Sequence, residues 1–455
     1  MAEDTQTSAP TVRLEDLLAG TLDARALDEI AHLAEETPRP ELTRMVGAIP
    51  PVRAAVLFRA LGKDTALAVF EALTPSYQAE LLHTLRGAEV AHIIDALDPD
   101  DRAEVFGELP ASLVKKLMLG LDPAEREMTA TVLGYPKDSI GRYMSPEVLS
   151  LHRDWDARTA LETVRAHIDE PETVYLLPVV GPGRVLEGVV SLRSLLAAAP
   201  DRPLAELTRE ATSTHALTDR EVASRDFLSH RLIAMPVTDD EERLLGILTM
   251  DDVLDIIDEE DAEDAARSGG AEPLDRSYLS SSILRIVRSR IVWLLVLAVS
   301  AILTVQVLEI FESKLDQVVV LALFIPLLTG TGGNTGNQAA TTVTRALAVG
   351  EVRVRDLGKV IWRELRVGLV LGSVLGVLGL TVAGLVYGWA IGTVMGLTLL
   401  SICVMAACVG GLMPIIAKKV GADPAVFSNP FISTFCDATG LIIYFTIATV
   451  VLGLS

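Results

Sequence analysis

Cysteine is scarce in this chain of 455 residues. There are three, Cys403, Cys408 and Cys436, and each lies in an apolar run, so a disulfide framework is not indicated. Histidine is absent after residue 276, and without a Cys/His cluster that part of the chain argues against zinc or copper. The start, Met1-Ala2-Glu3-Asp4, lacks the basic and then apolar character of a signal peptide. Positive charge is also short, with 39 Lys and Arg against 61 Asp and Glu. Before residue 277 the counts are 27 and 53, a net of −26 that would repel phosphates and excludes nucleic acid as a partner. From residue 277 on they are 12 and 8. An acidic half joined to an apolar half excludes a plain soluble enzyme, and the length suggests two or three domains.

A helix crosses the hydrocarbon core with roughly 20 apolar residues. Five stretches qualify, at about 287–308, 318–345, 364–388, 392–416 and 427–453. Arg285, Arg288 and Arg290 precede the first. Arg345, Arg353, Arg355, Lys359, Arg363 and Arg366 lie in or near the connection from second to third, and Lys418 and Lys419 lie between fourth and fifth. Only Lys314 falls on the other side. That bias predicts a multi-pass protein of the cell (inner) membrane, lipid bilayer around it, with its N-terminal domains cytoplasmic and its C-terminus outside.

Polar residues inside the spans carry the chemistry. Asp437 has apolar or small neighbours for a long way on both sides, and a carboxylate at that depth faces a water-filled path or an ionic partner. No basic residue is offered at comparable depth. Asn429, Ser433 and Asp437 follow i, i+4, i+8 and share one helix face. Pro430 is expected to free a carbonyl nearby. These oxygens make a hard ligand set suited to Mg2+ or Ca2+. Asp423, 14 residues earlier and about 21 Å of helix away, reads as an entrance carboxylate or as an ordinary N-cap. Span two holds Pro326-Leu-Leu-Thr-Gly-Thr-Gly-Gly-Asn-Thr-Gly-Asn-Gln338, without the Lys of a phosphate loop. It reads as a broken or closely packed helix whose Asn334 and Asn337 line the path. Gly368, Gly372, Gly376 and Gly379 of span three allow tight helix contact and are given no ligand role.

Two repeats organise the acidic half. Ile49, Leu61, Leu73, Leu85, Leu97, Leu109, Leu121 and Leu133 recur every 12 residues, and prolines follow five of them. One helix would turn that position by about 120° each time, so the unit is a two-turn helix plus a turn, stacked into a superhelix. His83 and His92 read as surface or packing residues. Residues 136–256 repeat at an offset of 58: Leu177-Pro178-Val179 matches Met235-Pro236-Val237, and Leu186-Glu-Gly188 matches Leu244-Leu-Gly246. Each copy alternates strand, strand and helix, a small α/β unit used twice, and the residues look like a pair of CBS domains. Residues 251–264 then hold nine acids and no Lys or Arg, a solvated helix face or a cluster that folds only with bound cation. Ser268–Pro273 could serve as its hinge.

With G-T-G-G-N-T-G-N-Q and D-P-A-V-F-S-N-P…D-A-T-G-L in order after these parts, the chain resembles the MgtE magnesium channel family over nearly its whole length. The expected fold is multidomain: an N-terminal all-α superhelical repeat domain (1–135), a tandem CBS α/β domain (136–256), an acidic connecting helix and linker (257–284) and a five-helix transmembrane domain (285–455). The resemblance implies a homodimer with the pore between protomers, and Asp437 as the selectivity aspartate. It implies closure when cytoplasmic Mg2+ binds acids between the soluble domains, with Asp219, Glu221, Asp252, Glu260, Glu263 and Asp101 at the sensor positions and Asp264 beside them. Where the family can carry a carboxylate and an aromatic, this chain has Arg231 and Leu232, which argues against one sensor ligand and against ATP as a cofactor. The reading is a passive, self-limiting Mg2+ channel, not an enzyme. Transport of Co2+, Mn2+ or Ca2+ instead, or a carrier coupled to Na+ or H+, is the alternative. A CBS-regulated anion channel would need a basic or amide-lined path, which these spans do not offer.

Overall fold

Two residues join each helix of the amino-terminal region to the next, because the 12-residue period leaves no more. The computed structural model describes residues 14, 17, 24–274, 278, 281–421 and 429–454. Within these the region runs α1 (Ala24–Glu36), α2 (Arg39–Ala48), α3 (Pro51–Ala60), α4 (Lys63–Glu71), α5 (Pro75–Thr84), α6 (Gly87–Ala96), α7 (Pro99–Glu108), α8 (Ala111–Met118) and α9 (Pro123–Leu133). The units are mostly ten residues, nearly three turns rather than the expected two. Prolines start α3, α5, α7 and α9, where an N–H would be orphaned anyway. Ile49, Leu61, Leu85, Leu97 and Leu109 cap the preceding C-termini and turn inward to one continuous core. Alternate helices stack, α1 on α3, α3 on α5, α5 on α7 and α7 on α9, the pattern of a superhelix.

Two three-stranded modules follow. β1 (Leu151–His152) pairs parallel with β2 (Leu176–Val180), which pairs antiparallel with β3 (Leu186–Ser191); α10 (Ala157–Ala166) and α11 (Leu192–Ala197) accompany them. After a short α12 (Leu204–Leu207), β4 (Thr214–His215), α13 (Arg220–Ser229), β5 (Ala234–Thr238) and β6 (Leu244–Thr249) repeat the arrangement. The register slips at Val179/Val180 in one copy and at Val237/Thr238 in the other, 58 residues apart. Each module has its own core, one around Leu177 and Val179, the other around Met235 and Val237.

The acidic run forms α14 (Met250–Ser268), anchored by buried Val253 and Ile256. Ala271–Pro273, rather than hanging as a free hinge, is tied to the next helix: Trp293 Nε1 donates to Glu272 Oε1 at 2.9 Å and Ser289 Oγ to Glu272 O at 3.0 Å. Five helices are long and apolar enough to cross a membrane: α15 (Ile283–Ile310), α17 (Ile325–Ala348, entered through a 3-10 turn at Val319–Phe324), α18 (Leu357–Tyr387), α19 (Trp389–Lys419) and α20 (Asn429–Leu452). A short α16 (Glu312–Gln317) joins the first two. The chain divides into two compact units, Met1–Glu260 with Leu274–Ser281, and Asp261–Pro273 with Ser282–Ser455.

Candidate cation sites

In the apolar unit α17, α19 and α20 pack on one another through glycine. α17 is unbroken, and its glycines serve close approach: a Cβ on Gly336 would lie 2.6 Å from Ile432 Cγ2, and one on Gly333 would lie 3.3 Å from Ser433 Oγ. A Cβ on Gly410 of α19 would meet Gly336 O at 2.1 Å. Gly368, Gly372 and Gly376 of α18 face the α19 backbone and Gly379 the Leu399 side chain, so these glycines are packing residues. The close approach lets Asn337 Nδ2 donate to Ser433 Oγ at 3.1 Å, while Asn337 Oδ1 is buried without a partner.

One turn beyond Ser433, Asp437 is part-buried, and among the described residues no basic side chain pairs with it. Asn334 is exposed on α17. The side chain of Asn429, and Asp423 altogether, lie outside the described residues. Pro430 falls in the first turn of α20, where an N–H is orphaned in any case, so it leaves the hydrogen bonding inside that helix intact. The expected third span begins earlier than its hydropathy suggested. This brings in Glu364, a carboxylate the sequence reading placed before the span; a Cβ on Gly411 would lie 2.8 Å from its Cγ.

In the acidic unit the sensor residues separate into two groups. Asp101, from the first turn of α7, meets Asp252, from the first turn of α14, and each raises the other's affinity for a proton. Burial, then Asp252 and Glu104, push Asp101 up to about 8; burial and the charge of Glu259 push Glu104 up to about 8. Asp252 rises to about 6 by burial, held back by the Thr249 hydroxyl donating at 2.5 Å. Asp100 and Glu104 belong to this group and were not foreseen, because α7 alone does not reveal which of its acids meet the modules. The other group is already neutralised. Arg220 donates to Glu259 and Glu260, both at 2.8 Å, and to Tyr143 Oη. Glu221 pairs with Arg225 at 2.7 Å and Glu263 with Arg267. Asp219 caps α13, accepting from Val222 N at 3.1 Å. Asp264 has a partner of its own.

A helical acidic region, paired α/β modules and five apolar helices with a buried carboxylate and amide define a membrane transporter of cations with cytosol-type regulatory modules. The comparisons agree. A divalent cation transporter domain, MgtE, matches residues 325–447, the MgtE intracellular N domain matches 37–138, and CBS domains match 140–201 and 206–259. The magnesium transporter MgtE of Thermus thermophilus is 36% identical over 323 residues, 70% of this chain and 71% of that protein. That of Enterococcus faecalis is 34% identical over 70% of each. The solved cytosolic domain of the Mg2+ channel MgtE in complex with ATP is similar over 54% of this chain and 99% of its own, at 30% identity and a TM-score of 0.50. The chain belongs to the MgtE family of divalent cation transporters.

Proposed function

We propose that the protein carries Mg2+ passively into the cell and limits its own flux. The observation that carries this is Asp437: a part-buried carboxylate without a basic partner among the described residues, one helical turn from Ser433 and its bond to Asn337. An unpaired carboxylate there requires a counter-charge, and a hydrated divalent ion supplies it. Two copies would bring two such carboxylates to one axis, which favours a homodimer with the path between protomers. Asn429, Ser433, Asn337 and Asn334 would supply neutral oxygens, and Asp423 an entrance charge. The soluble unit lies in the cytoplasm, as the basic residues flanking the spans require, and the C-terminus lies outside.

Regulation follows from the unpaired acids. When internal Mg2+ is low, Asp101, Asp252 and their neighbours repel; when it is high, the ion bridges them and the acidic helix with Glu260, Glu263 and Asp264, together with Asp219 and Glu221, settles into the closed arrangement. Mg2+ must bind that arrangement more tightly than the open one. Because Glu260 and Glu263 already hold guanidinium partners, Asp101 and Asp252 are the stronger ligands. ATP is not assigned to the CBS pair: Arg231 and Leu232 replace the carboxylate and aromatic expected there.

The test is Mg2+ flux into liposomes carrying the full chain, with internal Mg2+ varied and with Na+ and H+ gradients imposed or removed. Asp437→Asn should bring flux towards the protein-free background, and Asp252→Asn should raise the internal Mg2+ that half-closes the path. Undiminished uptake by Asp437→Asn would falsify the permeation reading, and flux that follows an imposed gradient would favour a coupled carrier.

A further inference from the structure

The repeat of the two α/β modules breaks at one place. β2 and β3 recur 58 residues on as β5 and β6, but β1 and α10 recur 63 residues on as β4 and α13. The first module therefore holds five more residues between helix and middle strand, within 167–175, and Glu172 lies there. Its N–H donates to Glu147 O at 2.9 Å, which holds the two residues side by side. Asp98, from the turn before α7, completes the group: carboxylate oxygens of Asp98, Glu147 and Glu172 all lie within 4.8 Å of one another. Asp98 is the N-cap of α7, and Asp is a favoured cap, yet its side chain makes no capping bond.

Three carboxylates can gather without a ligand, so their surroundings decide. Among the described residues no Lys, Arg or His forms an ion pair with any of the three. The nearby guanidinium, Arg102, directs its hydrogens elsewhere, to Ile94 O, Leu97 O, Glu125 and Thr129. The second observation is Asp100. It is 6% exposed, its Oδ1 is buried without a partner, and its charge adds to that of Glu172. A buried acceptor left unpaired beside other carboxylates is costly until positive charge arrives.

We propose that Asp98, Glu147 and Glu172, backed by Asp100, hold a divalent cation that pins the end of the helical repeat to the first α/β module. The set is all oxygen, which selects hard ions such as Mg2+, Mn2+ or Ca2+ over zinc and copper. Ions with ligands at about 2.3–2.6 Å place opposite oxygens about 5 Å apart, close to the spacing here, whereas Mg2+ at about 2.1 Å would keep waters between. The five extra residues explain why only the first module can supply the site.

This site deepens the sensor reading and rests on it for any effect on flux, but not for binding. The test is Mn2+ binding to the purified full chain in detergent, with free Mn2+ read by electron paramagnetic resonance. The native chain is compared with Glu147→Gln/Glu172→Gln and with Asp98→Asn. The variants should bind one fewer Mn2+ per chain, and Mg2+ should displace that ion from the native protein. Without divalents the double variant should melt above the native chain, because repulsion is relieved, and should gain less from added Mg2+. Equal stoichiometry and affinity in native chain and variants overturn the proposal, whatever the flux does. Loss of the ion with flux that ignores internal Mg2+ supports the site and counts against the gating reading instead.

Discussion

Gly410 and Gly330 sit in neighbouring membrane helices under opposite constraints. A Cβ on Gly410 would stand 2.1 Å from Gly336 O and 2.9 Å from its carbonyl carbon, backbone atoms with no rotamer by which to yield. A Cβ on Gly330 would meet nothing within 4 Å. Gly410→Ala should therefore destabilise the helix pair by about 1–3 kcal/mol, the usual cost of overpacking. Gly330→Ala should be neutral or stabilising by up to about 1 kcal/mol, since Ala is the better helix former. Thermal melting of both variants in detergent checks this, and equal melting temperatures would refute the packing assignment. The glycine richness of span two is plain in the sequence. Which glycine bears another helix is not, because that depends on how α17 meets α19 and α20.

At the scale of the element, α14 shows how far charge patterning reaches. Nine acids in 14 residues with no basic residue among them predict a helix under self-repulsion. The structure supplies the missing cation from elsewhere: Arg220, at the start of α13, binds Glu259 and Glu260 and stacks its guanidinium 5.3 Å from the Tyr143 ring centroid. Arg220→Ala leaves both carboxylates facing their neighbours, at a cost of about 2 kcal/mol for hydrogen bonds to charged groups. Hydrogen exchange along 255–264 should then quicken in EDTA and slow again with Mg2+. Exchange unchanged by the substitution would show that the helix holds without that arginine.

For the whole molecule, the buried acids tie stability to pH. Asp101 and Glu104 lie at about 8, Glu147 and Glu172 at about 7 and Asp252 at about 6, all raised by burial and by one another. A carboxyl whose proton affinity is higher folded than unfolded favours folding at low pH, and that contribution fades as pH climbs from the unfolded value near 4 through the folded one. In EDTA the melting temperature should therefore fall between pH 5.5 and 8.5, and saturating Mg2+ should flatten the slope by replacing the protons. A slope of the opposite sign would remove the acidic group from the account.

Order, repeats and spans were legible because each is a local, periodic property: 12 residues from leucine to leucine, 58 from one module to its copy, and apolar runs of membrane length. Asp437 stood out for the same reason, as one charge in a long apolar run. The partnership of Asn337 with Ser433 was not legible, nor were Glu364 inside a span, the neutralisation of Glu260 and Glu263, and the meeting of Asp98 with Glu147 and Glu172. Each pairs residues from separate elements, and a chain read in order carries no distance between them. Composition settled what kind of ion this protein can hold; packing alone decided which oxygens stand near enough to hold it.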